Sequence, residues 1–196
     1  ARRSGAATIA ITNTADSPLA AAADIVIDIL VGAEKSVAAT KTFVTSAVAG
    51  LAVIADWSGD AALQSALDRL PDALETALDC DWSPLVEALD GQTSLFVLGR
   101  GSGAAIASEA ALKFKETSGL HAEAYSTAEV LHGPAAIVGK GFPVLALCAE
   151  DKARASILET CARLAGQGGA VFVTDPEPGA GVALPVSVPV LAVMLA

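Results

Sequence analysis

The feature that most constrains this chain is the apolar run Ser94-Leu95-Phe96-Val97-Leu98, which breaks into Gly99-Arg100-Gly101-Ser102-Gly103 and then into Ala104 to Ser118, a stretch without Gly or Pro. A buried strand, a tight glycine turn and a helix form the opening of a βα unit. Pro143 to Leu147 is a second apolar run of this kind, Asp151 to Ala165 has helical character, and Ala170 to Thr174 is a third run. Strand, helix, strand, helix, strand predicts an α/β fold around a parallel sheet. Asp175 to Pro189, rich in proline, is expected to be a loop, and the next predicted strand after the glycine turn ends at Glu150.

Upstream, Ala7 to Ile11 predicts a buried strand closed by the polar loop Thr12 to Pro18, and Asp24 to Ile29 predicts another. Ser36 to about Trp57 contains no helix breaker except Gly50, so a long helix capped by Ser36 is expected. It is apolar almost all round and is therefore predicted to be buried. From Asp60 to Cys80, leucines at 63, 67, 70, 74 and 78 mark one face of an amphipathic helix that Pro71 should restart. With Asp81 to Asp90 it makes a helical connector. The predicted organisation is 1–57 as the later part of one domain, 58–90 as connector and 91–196 as a second domain. Two strands and one long helix are less than a complete α/β domain, so the chain is expected to start inside the first one.

Composition narrows the function classes. Hydrophobic residues make up 53% and charged residues 17%, which excludes disorder for most of the chain. A net charge of -10 leaves no basic footprint for nucleic acid. Cys80, Cys148 and Cys161 lack CxxC spacing, which argues against a disulfide framework or zinc ribbon and fits a reducing cytoplasm. Every apolar stretch is interrupted before the ~18 residues that a membrane span needs, and Ala1 to Gly5 lead into a strand without a signal-peptide core. A cytoplasmic protein with no membrane partner is expected.

The turn Gly99 to Gly103 opens a helix, where backbone N–H groups and the helix dipole attract an anion such as phosphate. A tight turn that lets helix pack on strand explains it equally well. Dinucleotide binding is disfavoured, because the spacing is GxGxG and no acidic residue ends a strand ~20 positions on. On the next helix, Glu109, Lys113 and Glu116 share one face. Spacing alone is compatible with a solvated Glu-Lys pair. Just beyond lie both histidines of the chain, His121 and His132, with Glu123, Tyr125, Glu129 and the turn Gly133-Pro134. Such a cluster is what general acid/base chemistry needs. A metal reading of His121, Glu123 and His132 matches no standard ligand spacing, so neither metal nor cofactor is expected.

Leu98 to Val138 resembles the second sugar isomerase (SIS) domain of the glucosamine-6-phosphate synthase isomerase region and its stand-alone relatives. The matching features are the glycine turn after a strand, E-x-x-L-K-x-K-E from Glu109 to Glu116, H-A-E-A-Y from His121 to Tyr125, and L-H-G-P from Leu131 to Pro134. Ile9 to Asn13, Asp24-Ile25 and Glu34 to Lys41 are similar to the later half of a first SIS domain. The resemblance implies two SIS domains, each a three-layer parallel sheet flanked by helices, the first incomplete in this chain. The family's phosphate-binding Ser/Thr loop would belong to the missing part.

Carried over, the resemblance makes Glu116 the base that moves a proton between C1 and C2 of an open-chain sugar phosphate. His132 would open the sugar ring, reaching the active site of the neighbouring subunit of a homodimer. Lys113 and Glu109 would support Glu116, and Val37, Ala38, Gly101 and Ser102 would border the substrate. A cation beside a carboxylate favours its proton-accepting form, which suits 1,2-proton transfer. Two departures stand out: Ala39 replaces the usual serine, and no counterpart of the family's Schiff-base lysine or glutaminase domain is found. The reaction expected is therefore glucosamine 6-phosphate to fructose 6-phosphate plus ammonia. The alternatives are the isomerase half of a glutamine-fructose-6-phosphate aminotransferase, a fructosamine-phosphate deglycase, or a non-catalytic SIS module that senses a sugar phosphate.

Overall fold

The computed structural model describes residues 1–101, 103–149 and 151–175. It divides into two compact units, Ala1–Asp68 and Arg69–Ala196. The division falls inside the segment expected to be a helical connector.

In the first unit, strands β1 (Ile9–Thr12) and β2 (Ile25–Asp28) pair in parallel, with Ile9 opposite Ile25 and Thr12 opposite Asp28. The crossover between them is the single turn α1 (Pro18–Ala21), whose start is fixed by Pro18 and by Ser17 Oγ accepting from the Ala20 N–H at 3.3 Å. Helix α2 runs Lys41–Ser58, later than predicted, and Ser36 is not its cap. The carboxylate of Glu34 does that work from outside the helix, accepting from the N–H groups of Thr40 and Lys41 on Oε1 and Thr42 on Oε2 at 2.9–3.2 Å. These are orphan donors of a first turn, and a carboxylate there also meets the positive end of the helix dipole. Of α2 only Ala55 is buried, and Trp57 is 88% exposed, so the expected burial of the helix is not found among the described residues.

Helix α3 (Ala61–Leu78) is continuous through Pro71, which does not restart it. Helix α4 (Ser83–Leu89) follows. The second unit is built on a parallel sheet of β3 (Ser94–Gly99), β4 (His121–Ser126), β5 (Pro143–Ala146) and β6 (Ala170–Val173), in the order β4-β3-β5-β6. Helix α5 (Gly103–Ser118) joins β3 to β4, and α6 (Arg154–Gly166) joins β5 to β6. Strand β4 was not foreseen as a strand. Helix α6 begins three residues later than predicted, because the Asp151 side chain accepts from the Ala153 N–H at 2.7 Å before the first turn closes.

Alternate sheet residues build two cores. Phe96, Leu98, Val144, Ala146, Val171 and Val173 pack with Ile157, Cys161 and Leu164 of α6. Leu95, Val97, Leu145 and Phe172 pack with Ala107 and Ala111 of α5 and Leu85 of α4. The sheet is thus covered on both faces, the α/β layering the sequence predicts, and β3, β5 and β6 are near-continuous apolar runs for that reason. The predicted loop 175–189 lies outside the described residues except for Asp175, as does Glu150.

Candidate functional site

Helix α5 carries the candidate catalytic side chains. Ala107 and Ala111 bury one stripe against the sheet, which turns Glu109, Lys113 and Glu116 away from the core onto a face where their side chains are 20–24% exposed. There the ammonium of Lys113 donates to Glu116 Oε2 at 2.6 Å and lies 3.2 Å from Glu109 Oε1. The hydrogen bond to Glu116, and next to it the contact with Glu109, raises the pKa of Lys113, so it remains cationic at neutral pH. Two carboxylates are therefore held on one cation. The chemistry available is that of a fixed carboxylate base with a permanent positive charge beside it.

The second group sits on and after β4. His121, Glu123 and Tyr125 alternate along the strand and share a face. The Tyr125 hydroxyl donates to Glu123 Oε2 at 2.7 Å, and this bond raises the phenol's pKa. Tyr125 also packs edge-on against Phe96, which anchors the pair to the core. His121 Nε2 lies 3.8 Å from Glu123 Oε1. Beyond the strand, Ser126 and Glu129 cap each other: the Ser126 N–H donates to Glu129 Oε2 and the Glu129 N–H to Ser126 Oγ, both at 3.1 Å. This sets the 3-10 turn Glu129–His132, in which Val130 is fully buried and His132 is exposed. His132 is thus a rigidly based imidazole that points out from its own core.

Among the described residues the hydrogen bonds and ion pairs of these two sets of side chains remain separate, and other predicted residues lie elsewhere. Gly101 precedes α5 whereas Glu116 lies near its far end, about 20 Å away at 1.5 Å per residue. One small sugar phosphate cannot touch both. Ser102 lies outside the described residues. Val37, 87% exposed, and Ala38 belong to the first unit, in the loop that Glu34 and Asn13 organise. Asn13 Oδ1 accepts from the Val31 N–H at 3.2 Å and its Nδ2 donates to the Gly32 carbonyl at 2.6 Å. Among the described residues no group of three or more His, Cys, Asp or Glu is placed to hold a metal, and no helix is long and apolar enough to cross a membrane.

Comparison with known proteins decides the family. The SIS domain family matches residues 1–55 and 88–174. This chain belongs to the SIS domain family. A glutamine–fructose-6-phosphate aminotransferase (isomerizing) of Symbiobacterium thermophilum is 39% identical over 83% of this SIS chain and 29% of its own length. A proposed phosphosugar isomerase of Silicibacter pomeroyi DSS-3 superposes with a TM-score of 0.90 at 48% identity, covering 98% of this chain and 61% of that one. The C-terminal domain of glucosamine-fructose-6-phosphate aminotransferase from Francisella tularensis gives 0.77 at 27% identity, over 99% and 62%. The chain spans less than a third of the curated relative and under two thirds of the two structures. At the level of class, these likenesses are to sugar-phosphate isomerase-type proteins.

Proposed function

We propose that this chain carries the proton-transfer machinery of an amino-sugar phosphate deaminase/isomerase that converts glucosamine 6-phosphate and water into fructose 6-phosphate and ammonia. The observation that carries the reading is Lys113 held between Glu109 and Glu116 on one face of α5. In the open-chain substrate, Glu116 takes the proton from C2 and returns it to C1. The aldehyde carbon is reduced to an alcohol and C2 becomes an imine. Water adds to that imine and ammonia leaves, giving the ketose. One carboxylate serves both carbons because they are adjacent, and Lys113 keeps it in place between the two transfers. His132 would open the ring by moving a proton between the anomeric hydroxyl and the ring oxygen. It would act on a substrate held by a second copy of the chain, in a homodimer with shared sites.

The test is turnover of glucosamine 6-phosphate by the full-length protein, followed as ammonia and fructose 6-phosphate together. Equal appearance of both is expected, and Glu116→Gln should lower it roughly a thousandfold with sugar-phosphate binding retained. Turnover comparable to wild type in that variant would remove Glu116 from the mechanism. The aminotransferase named among the relatives is a second reading. Formation of glucosamine 6-phosphate from fructose 6-phosphate only when glutamine is supplied would favour it. Mixing Glu116→Gln with His132→Asn should restore part of the activity, and no recovery would argue against shared sites.

A further inference from the structure

In the sheet order β4-β3-β5-β6 the chain leaves β3 toward β4 on one side and then returns past β3 to β5 on the other. The loops after β3 and β5 therefore diverge, and a crevice opens at the carboxyl edge between them, where parallel α/β sheets hold ligands. Here it is a cavity of about 380 Å3 lined by Arg100, Gly101, Asp151, Lys152, Ala153 and Ser156.

Its described lining carries two cations and one carboxylate. Arg100 and Lys152 bring two cations into one crevice of a chain whose net charge is -10. Arg100 Nη1 donates to Ser156 Oγ at 3.2 Å, which aims the guanidinium across the opening at α6. Among the described lining residues the carboxylate is Asp151, whose Oδ1 accepts from the Ala153 N–H at 2.7 Å. Gly101 has φ +60, a left-handed conformation that favours glycine, and an added Cβ would face Asp151 Oδ2 at 4.0 Å. Close contact between strand and helix shapes the same corner, since a Cβ on Gly99 would run into the Gly103 backbone and lie 2.9 Å from Ala107 Cβ. The Ser156 hydroxyl donates to the Ala153 carbonyl at 2.8 Å and so serves to hold the guanidinium; a guanidinium and an ammonium around a space of this size fit a compact dianion on a small molecule.

We infer that the Arg100–Lys152–Ser156 crevice is a second ligand site, one that binds a phosphomonoester about 20 Å along α5 from Glu116. It is an effector site and not part of the reacting centre. Gly101 then belongs to this site and not to the one that holds the sugar being isomerised. The site does not depend on the proposed reaction.

Hydrogen exchange of the intact protein, read by mass spectrometry, tests this directly. Inorganic phosphate and glucose 6-phosphate are added separately at millimolar concentration, against chloride at equal ionic strength. Slower exchange in peptides covering 99–104 and 151–157 is expected with both probes. Tighter protection by the ester would identify the sugar as part of the recognition, and equal protection would place recognition in the phosphate alone. The double variant R100A/K152A should bind both probes about tenfold more weakly at these peptides. Should the double variant misfold by circular dichroism, Lys152→Glu alone carries the same expectation. No protection at either peptide, protection equal to chloride, or full protection in a folded variant would overturn the site. Failure of the reaction assay alone would leave this result standing, so the two readings fail separately.

Discussion

In the second unit Leu95, Val97, Leu98 and Val144 are sealed from solvent, whereas in the first Ile9, Ile25 and Val26, from strands of the same parallel kind, are 48%, 53% and 40% exposed. The β1–β2 pair is held at its ends by polar clamps. At one end Thr8 donates its N–H and hydroxyl to Asp24 Oδ2 at 3.0 and 2.8 Å, and Arg2 Nε meets Asp24 Oδ1 at 2.9 Å. At the other, Asn13 bridges to Val31 and Gly32. Among the described residues the β1–β2 pair is clamped by side-chain hydrogen bonds and an ion pair, the hydrogen bonds each worth about 1 kcal/mol net, and the second unit is held by a two-faced core. A site that needs a loop at a fixed height uses the first device, and one that needs a straight helix face uses the second.

The largest effect should follow Leu164→Ala. Leu164 is fully buried where α6 meets the sheet, so the loss is about 2–5 kcal/mol of stability in the second unit. Thermal or denaturant unfolding measures it. Asn13→Ala should cost about 1 kcal/mol, with faster hydrogen exchange confined to the first 68 residues. If Asn13→Ala cost as much as Leu164→Ala, or if it loosened α5 and α6, the contrast between clamp and core would fail.

That contrast also explains what was legible in the sequence. β3, β5 and β6 announce themselves because strands covered on both faces are apolar at every position, as Leu95 to Leu98 are. β4 was missed because the edge strand alternates His121, Glu123 and Tyr125 with small residues, and so reads as a cluster of reactive groups. That cluster and the strand are the same residues. The Glu109-Lys113-Glu116 face was legible because helical spacing is local. The pairing of Arg100 with Lys152 depends on two loops brought together by the sheet order, which only the alternation of strands could have hinted at. The ~20 Å between Gly101 and Glu116, by contrast, was available from helix rise alone. Ser36 was mistaken for the cap of α2 because a cap is sought in the residue next to the helix, and Glu34 reaches it from six to eight positions away.

Glu34 gives the smallest and most discriminating prediction. Hydrogen bonds from Thr42, side chain first and then N–H, with those from Thr40 and Lys41, hold its pKa at about 2 against an ordinary 4.5. A carboxylate whose folded pKa is depressed stabilises the fold above its unfolded pKa, and that contribution disappears as pH falls through the folded value. The cap should therefore be fully present above about pH 4.5 and fade toward about pH 2. Glu34→Gln removes the charge, so its deficit relative to wild type should be greatest near neutral pH and shrink as acid is added. Exchange at the Thr42 N–H, whose acceptor is Glu34 Oε2 at 2.9 Å, reports the same cap locally. A deficit that stays constant with pH would mean that the helix start is fixed by something other than this carboxylate. The loop bearing Val37 and Ala38 would then be held by Asn13 and Lys41, whose Nζ donates to the Val31 carbonyl at 3.1 Å, and not by the start of α2.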